Sequence, residues 1–149
     1  MIQRKQTIYL LLALAALIAC LCLPIGRIEP RAMGVDSVWY NMGLFRDGAF
    51  TARPMLFVDL VVVGVLAFVD IFLYRKRKIQ AQLCSVNIVL TLAWYVYYAI
   101  TVFSVFQTNG TFHFGFAACL PFVAIILFVM ARRGIIADEK LVKSADRIR

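Results

Sequence analysis

The stretch PMLFVDLVVVGVLAFVDIFLY, Pro54 to Tyr74, runs straight into Arg75-Lys76-Arg77-Lys78 and decides the fold. An apolar run of about 20 residues is long enough to cross a bilayer as a helix. Four consecutive cations mark its cytoplasmic end, because Lys and Arg collect on the inner side of membrane helices. Two carboxylates, Asp59 and Asp70, interrupt the run. At hydrocarbon depth a carboxylate needs a partner or a proton.

Composition supports the same reading. Of 149 residues, 63% are hydrophobic and 16% charged, more apolar than soluble domains. The net charge of +8 is segregated. Arg4, Lys5, Arg75, Lys76, Arg77, Lys78, Arg132, Arg133, Lys140, Lys143, Arg147 and Arg149 fall in segments assigned to the inside. Only Arg27, Arg31, Arg46 and Arg53 remain for the outside. Such a distribution answers to topology and to anionic lipid headgroups rather than to nucleic acid, for which no binding module is present. Four cysteines and a lone histidine, His113, show no metal spacing, so neither metal nor cofactor is expected.

Working outward, the pattern predicts an all-α membrane protein, a bundle of four transmembrane helices over 7–23, 54–74, 83–106 and 114–131, in a single domain. Thr7 to Leu23 ends at Pro24. Arg4 and Lys5 before that run also fit a signal peptide, and Leu17-Ile18-Ala19-Cys20 resembles a lipoprotein cleavage box. Leu21-Cys22-Leu23 stays apolar where lipoproteins turn polar, which favours a retained helix. The loop 24–53 lies outside. Val38 to Phe45 carries strand formers, and Asp47-Gly48 signals a hairpin returning through Ala49-Phe50-Thr51. A small hairpin cap on the outer mouth is expected. Gln107 to Thr111 reads as an outer turn, with His113 as a solvated interface residue. Pro121 reads as a kink in the fourth span. The tail, 132–149, reads as a cytoplasmic amphipathic helix with Leu141, Val142, Ala145 and Ile148 on one face. Both termini are then cytoplasmic.

The polar residues within the spans form a pattern. Asp59 and Asp70, eleven residues apart, are about 16 Å apart along a helix and share a face. On the third helix Asn87, Thr91, Trp94, Tyr98 and Thr101 follow at spacings of four and three. Counting from the inner loop sets Asp70 level with Asn87, and Asp59 level with Tyr98 and Thr101. Two polar rungs are therefore expected between helices two and three. The plainer alternatives pair Asp70 with a cation at the membrane surface and Asp59 with Arg53. Trp94-Tyr95-Val96-Tyr97-Tyr98 reads as bundle packing. No nucleophile and base, phosphate loop or metal signature appears in the sequence, so an enzyme is not expected.

The ends carry a likeness. Met1-Ile2-Gln3-Arg4-Lys5-Gln6-Thr7-Ile8-Tyr9-Leu10-Leu11-Leu12-Ala13 resembles the opening of the domain of unknown function 4293 proteins, small four-helix inner-membrane proteins of Bacteroidota. Asp138 to Arg149 is similar to the family's basic tail. The resemblance implies a bacterial inner-membrane location and transfers no catalytic residue. It also draws attention to Gln3, Arg4 and Gln6, a polar lead that with Arg75 to Lys78, Leu141, Val142 and Ile148 would form a cytoplasmic docking surface for a partner or for lipid. The expected function is a non-enzymatic accessory or scaffold subunit, bound to another membrane protein or to itself. The contrary class is a small proton-linked transporter using Asp59 and Asp70.

Overall fold

The apolar runs do form helices, but the chain is not an all-α bundle. It adds a five-stranded antiparallel sheet. A computed structural model describes residues 2–30, 35–74, 76–106 and 110–146, with backbone alone at 2–5, 105, 106, 110, 145 and 146. The helices are α1 (Ile2–Cys22), α2 (Met55–Phe72), α3 (Arg77–Thr101) and α4 (Leu120–Asp146). The strands are β1 (Gly26–Pro30), β2 (Ser37–Tyr40), β3 (Gly43–Arg46), β4 (Ala49–Ala52) and β5 (Gly110–Phe114). Each helix packs on two neighbours, α1 and α3 both touching α2 and α4. Among the described residues, Met55–Phe72, Arg77–Ser104 and Phe116–Ser144 are long and apolar enough to cross a bilayer. The apolar stretch of α1, Gln6–Cys22, is shorter, so the four-span expectation meets this length test at three helices.

The helices bury residues at alternating steps of four and three. On α1 these are Gln6, Leu10, Ala13, Leu17 and Cys20; on α2, Leu56, Leu60, Val63, Ala67 and Asp70. α4 continues the pattern through Ala124, Phe128, Ala131, Ile135 and Asp138. A mean spacing of 3.5 keeps one seam facing its neighbours along the whole helix, and its alanines let backbones approach closely. The outward faces are apolar as well. Val58, Val65, Val89, Val96, Phe122 and Ile126 are all exposed.

The sheet order is β4-β3-β2-β1-β5, so the segment between α3 and α4 pairs with the strand that follows α1. Gly26 lies opposite both Trp39 and Phe114, and Ile28 opposite both Ser37 and Phe112. Within this row Gly26, Ile28, Ser37 and Trp39 are buried, Phe112 is partly buried and Phe114 is exposed, whereas Arg27, Glu29 and His113 are exposed on the other face. There His113 Nε2 lies 3.3 Å from Glu29 Oε2. The hairpin expected at Asp47-Gly48 is present between β3 and β4. Asp47 and Gly48 both take positive φ (48° and 76°), the geometry that matches the twist of paired strands. Nothing lies within 4 Å of a Cβ placed at Gly48, so backbone conformation alone sets its preference. Gly48→Val should cost roughly 1–2 kcal/mol in unfolding measurements, from the left-handed conformation of a branched residue.

Other expectations need correction. Val38 to Phe45 is two strands, because Asn41 and Met42 turn the chain between β2 and β3. α3 begins at Arg77, not Leu83, so the α2–α3 connection is shorter than expected. After Thr101 it widens into a π turn, Val102–Phe106. Phe114 belongs to β5, and a 3₁₀ turn over Phe116–Cys119 leads into α4. Pro121 then occupies the first turn of α4, where its missing N–H breaks no helical hydrogen bond and no kink is required. The tail is not a separate amphipathic helix: α4 runs unbroken for 27 residues past Arg132 and Arg133. The turn at Gln107 to Asn109, Arg75 and Ile148 lie outside the described residues, as do the side chains of Gln3 and Arg4.

Candidate functional site

Two polar regions lie inside the molecule, one near each end. At the sheet end Asn41 is fully buried. Its Nδ2 donates to the Cys20 carbonyl at 2.7 Å, and its Oδ1 accepts from Trp94 Nε1 at 3.2 Å. The last carbonyls of a helix have no partner within it, so Asn41 supplies one to α1 while holding α3. Beside it three rings stack. Trp94 and Tyr98 lie 5.1 Å apart at 10°, and Tyr98 and Trp39 5.1 Å apart at 2°. The Tyr98 hydroxyl donates to the Ile25 carbonyl at 3.0 Å, and the Tyr95 hydroxyl to the Ala118 carbonyl at 2.6 Å. Thus Trp94, Tyr95 and Tyr98, all on α3, bind the sheet and the start of α4 to the helices. Asn41 was not a sequence candidate; the signal available was an Asn between two strand-forming runs, which reads as a turn.

Toward the opposite end, Asp70 is fully buried and its Oδ2 accepts from Cys84 Sγ at 3.0 Å. Its backbone carbonyl accepts from Gln80 Nε2 at 3.2 Å. The expected rung from Asp70 to Asn87 is therefore displaced by three residues, one turn, onto Cys84. α3 starts at Arg77 rather than Leu83, so levels counted from the expected loop do not hold. Counting from Asp70 and Cys84 sets Ala67 opposite Asn87, Val63 opposite Thr91, Leu60 opposite Trp94 and Leu56 opposite Tyr98. Asn87, Thr91, Trp94, Tyr98 and Thr101 do share one buried stripe. Thr91 and Thr101 bond back to the Asn87 and Tyr97 carbonyls of their own helix. Among the described residues, Asp70 Oδ1, both amide atoms of Asn87 and Asp59 Oδ2 are buried without a hydrogen-bond partner. Asp59 stands off the α2 stripe, half-buried, and the rung to Tyr98 or Thr101 does not form.

Beyond this the end is pinned by Gln6, whose Nε2 donates to Asp138 Oδ2 at 3.0 Å in a buried contact between α1 and α4. A Cβ at Gly134 would lie 3.1 Å from Gln6 Cγ, so the glycine gives the amide its place. Arg77 Nη1 donates to the Asp138 carbonyl at 3.4 Å. Gln6 thus faces inward, away from any docking surface, while Lys76, Lys78, Leu141 and Val142 stay exposed. Among the described residues no cluster of three or more His, Cys, Asp or Glu could hold a metal ion.

Four helices around a largely apolar core with a few buried polar residues, closed at one end by a sheet, define a helix-and-sheet protein whose helices also expose apolar faces. The family model described as Domain of unknown function (DUF4293) matches residues 2–148, and the chain belongs to that family. No curated protein matches it.

Proposed function

We propose that the protein is a non-enzymatic accessory or scaffold subunit of a membrane assembly, set in a bacterial inner membrane with both termini in the cytoplasm. Support for the membrane setting comes from the apolar faces that the helices expose, with several polar residues held within. Asn87, Thr91 and Asp70 are buried while whole faces of valine, leucine and phenylalanine are exposed, the arrangement that hydrocarbon favours. The subunit role is carried by one observation. The far half of α4 is fastened to α1 through Gln6 and Asp138, yet it presents Leu141 and Val142 at 57% and 45% exposure beyond the double arginine. With the double arginine read as the inner membrane surface, a helix offering apolar side chains beyond it fits a docking surface for a second protein. Leu141→Glu, a change at an exposed position, is the test. A stoichiometric partner retained in mild detergent and lost at least tenfold in this variant is the expected result. Copurification unchanged by the variant contradicts it. Deleting Asp138 onward would be a poorer experiment, because it breaks the buried bond to Gln6.

A proton-linked carrier is favoured by the unpartnered polar atoms of Asp59, Asp70 and Asn87. Against it, Leu60, Val63 and Ala67 fill the stripe between the carboxylates at zero exposure. On the subunit reading Asp59→Asn should leave growth unchanged and protein stability within about 0.5 kcal/mol of the parent, as for ordinary surface changes. Abolished proton-coupled uptake in that variant would establish the carrier.

A further inference from the structure

At the basic end a cleft of about 680 Å³ opens between the α2–α3 connection and the far half of α4. Its walls carry Lys76, Arg77 and Lys78 beside Tyr74, Ile79 and Val142. The remaining wall residue, Glu139, is paired with Lys143 at 2.8 Å and also feels the charges of Lys78 and Arg77, so the cleft keeps a net positive charge. Among the described residues Lys76 and Lys78 make no ion pair. Arg77 is held by the Asp138 carbonyl, which leaves further guanidinium N–H groups for an acceptor. The cleft also contains the start of α3, whose cap residue Lys76 offers its first turn no side-chain hydrogen bond. Charge and volume together suit a phosphate-bearing headgroup.

The apolar side of the cleft decides which phosphate compound. Tyr74 follows the end of α2 by two residues, and the last turns of α2 leave Phe68, Val69 and Phe72 exposed at 52%, 40% and 65%. A ligand that fills the cleft and continues along that face carries its anion and its hydrocarbon at the same relative positions. Free phosphate uses only the cations, and an acidic peptide leaves the α2 face uncovered. We propose that this cleft binds an anionic phospholipid of the cytoplasmic leaflet, its phosphate at Lys76, Arg77 and Lys78 and its acyl chains along Phe72 and Phe68. The proposal rests on the membrane reading given above. By bridging the α2–α3 connection to α4, the lipid steadies the helix that presents Leu141.

The test uses full-length protein in nanodiscs of phosphatidylcholine containing a minor share of phosphatidylglycerol, with retained lipids counted by native mass spectrometry after mild extraction. Phosphatidylglycerol should be retained over phosphatidylcholine by at least tenfold. Lys76→Gln/Lys78→Gln should lower that preference at least tenfold, since the loss of two near-surface cations corresponds to roughly thirtyfold. Lys76→Arg/Lys78→Arg should keep it, which guards against a general folding defect. Millimolar inorganic phosphate should not displace the lipid. Equal retention of the two lipids, no change in the glutamine variant, or displacement by phosphate alone would each overturn the proposal. Failure of the subunit reading shows separately, in the partner that Leu141→Glu should release.

Discussion

Replacing Asn41 with leucine should lower the unfolding free energy by about 3 kcal/mol, since two buried groups lose their partners at roughly 1–3 kcal/mol each. The groups are the Cys20 carbonyl and the Trp94 indole N–H, both met by the Asn41 amide. Leucine fills comparable space and satisfies neither. Asn41→Asp should be at least as harmful. The carboxylate can still accept from Trp94, but it sets a negative charge against the carbonyl it should donate to. Thermal unfolding in detergent, followed by near-ultraviolet circular dichroism of the tryptophans, reads both losses. The sheet and the helices should separate before the helices melt, because Asn41 joins β2 and β3 to α1 and α3. Unfolding of Asn41→Leu within 0.5 kcal/mol of the parent would mean that this junction contributes little.

Trp39→Ala should be the other severe change, at about 4 kcal/mol, the range for removing a large aromatic from a core. Trp39 is 1% exposed, stacked on Tyr98 and set edge-on to Phe112 at 5.9 Å. Its loss opens a cavity where the sheet meets the bundle. Two milder changes apportion the effect. Trp39→Phe keeps an aromatic on Tyr98 and should cost less than half as much. Tyr98→Phe removes only the hydroxyl bond to the Ile25 carbonyl, about 1 kcal/mol. A larger loss from Tyr98→Phe than from Trp39→Ala would reverse the order in which stacking and hydrogen bonding hold the sheet.

The helices were legible because apolar runs of their length have few alternatives, and the four-three stripe on α3 could be counted directly. The Asp47-Gly48 turn was legible for a local reason, since few residue pairs accept positive φ at both positions. The sheet was not. β1 and β5 pair across more than eighty residues, and neither is longer than five. Their alternation is nevertheless present: Ile28 lies between Arg27 and Glu29, and Phe112 and Phe114 flank His113. That alternation is too short in each segment to stand out from a loop and a turn.

The polar rungs failed for another reason. Levels between helices depend on how the connection between them packs, and with α3 starting at Arg77 the α3 stripe meets α2 one turn away from the counted level. Asp70 consequently meets Cys84, which reads in the sequence as a small apolar residue. Asp59 falls off the buried stripe because α2 steps back from Asp70 through Ala67, Val63 and Leu60, and Leu60 takes the inward position beside it. Gln6 looked like a docking residue because it is polar near a terminus. Its partner Asp138 lies 132 positions away, and only the antiparallel packing of α1 on α4 brings them together.

Everything proposed about partners and lipid depends on which end faces the cytoplasm, and labelling of single cysteines measures that directly. With the exposed Cys22 and Cys119 changed to serine, Ala49→Cys marks the hairpin of the sheet and Lys140→Cys the far half of α4, both exposed positions. In intact bacterial spheroplasts a membrane-impermeant maleimide should label Ala49→Cys, and should reach Lys140→Cys only after lysis. Labelling of both before lysis, or of Lys140→Cys alone, would contradict the account.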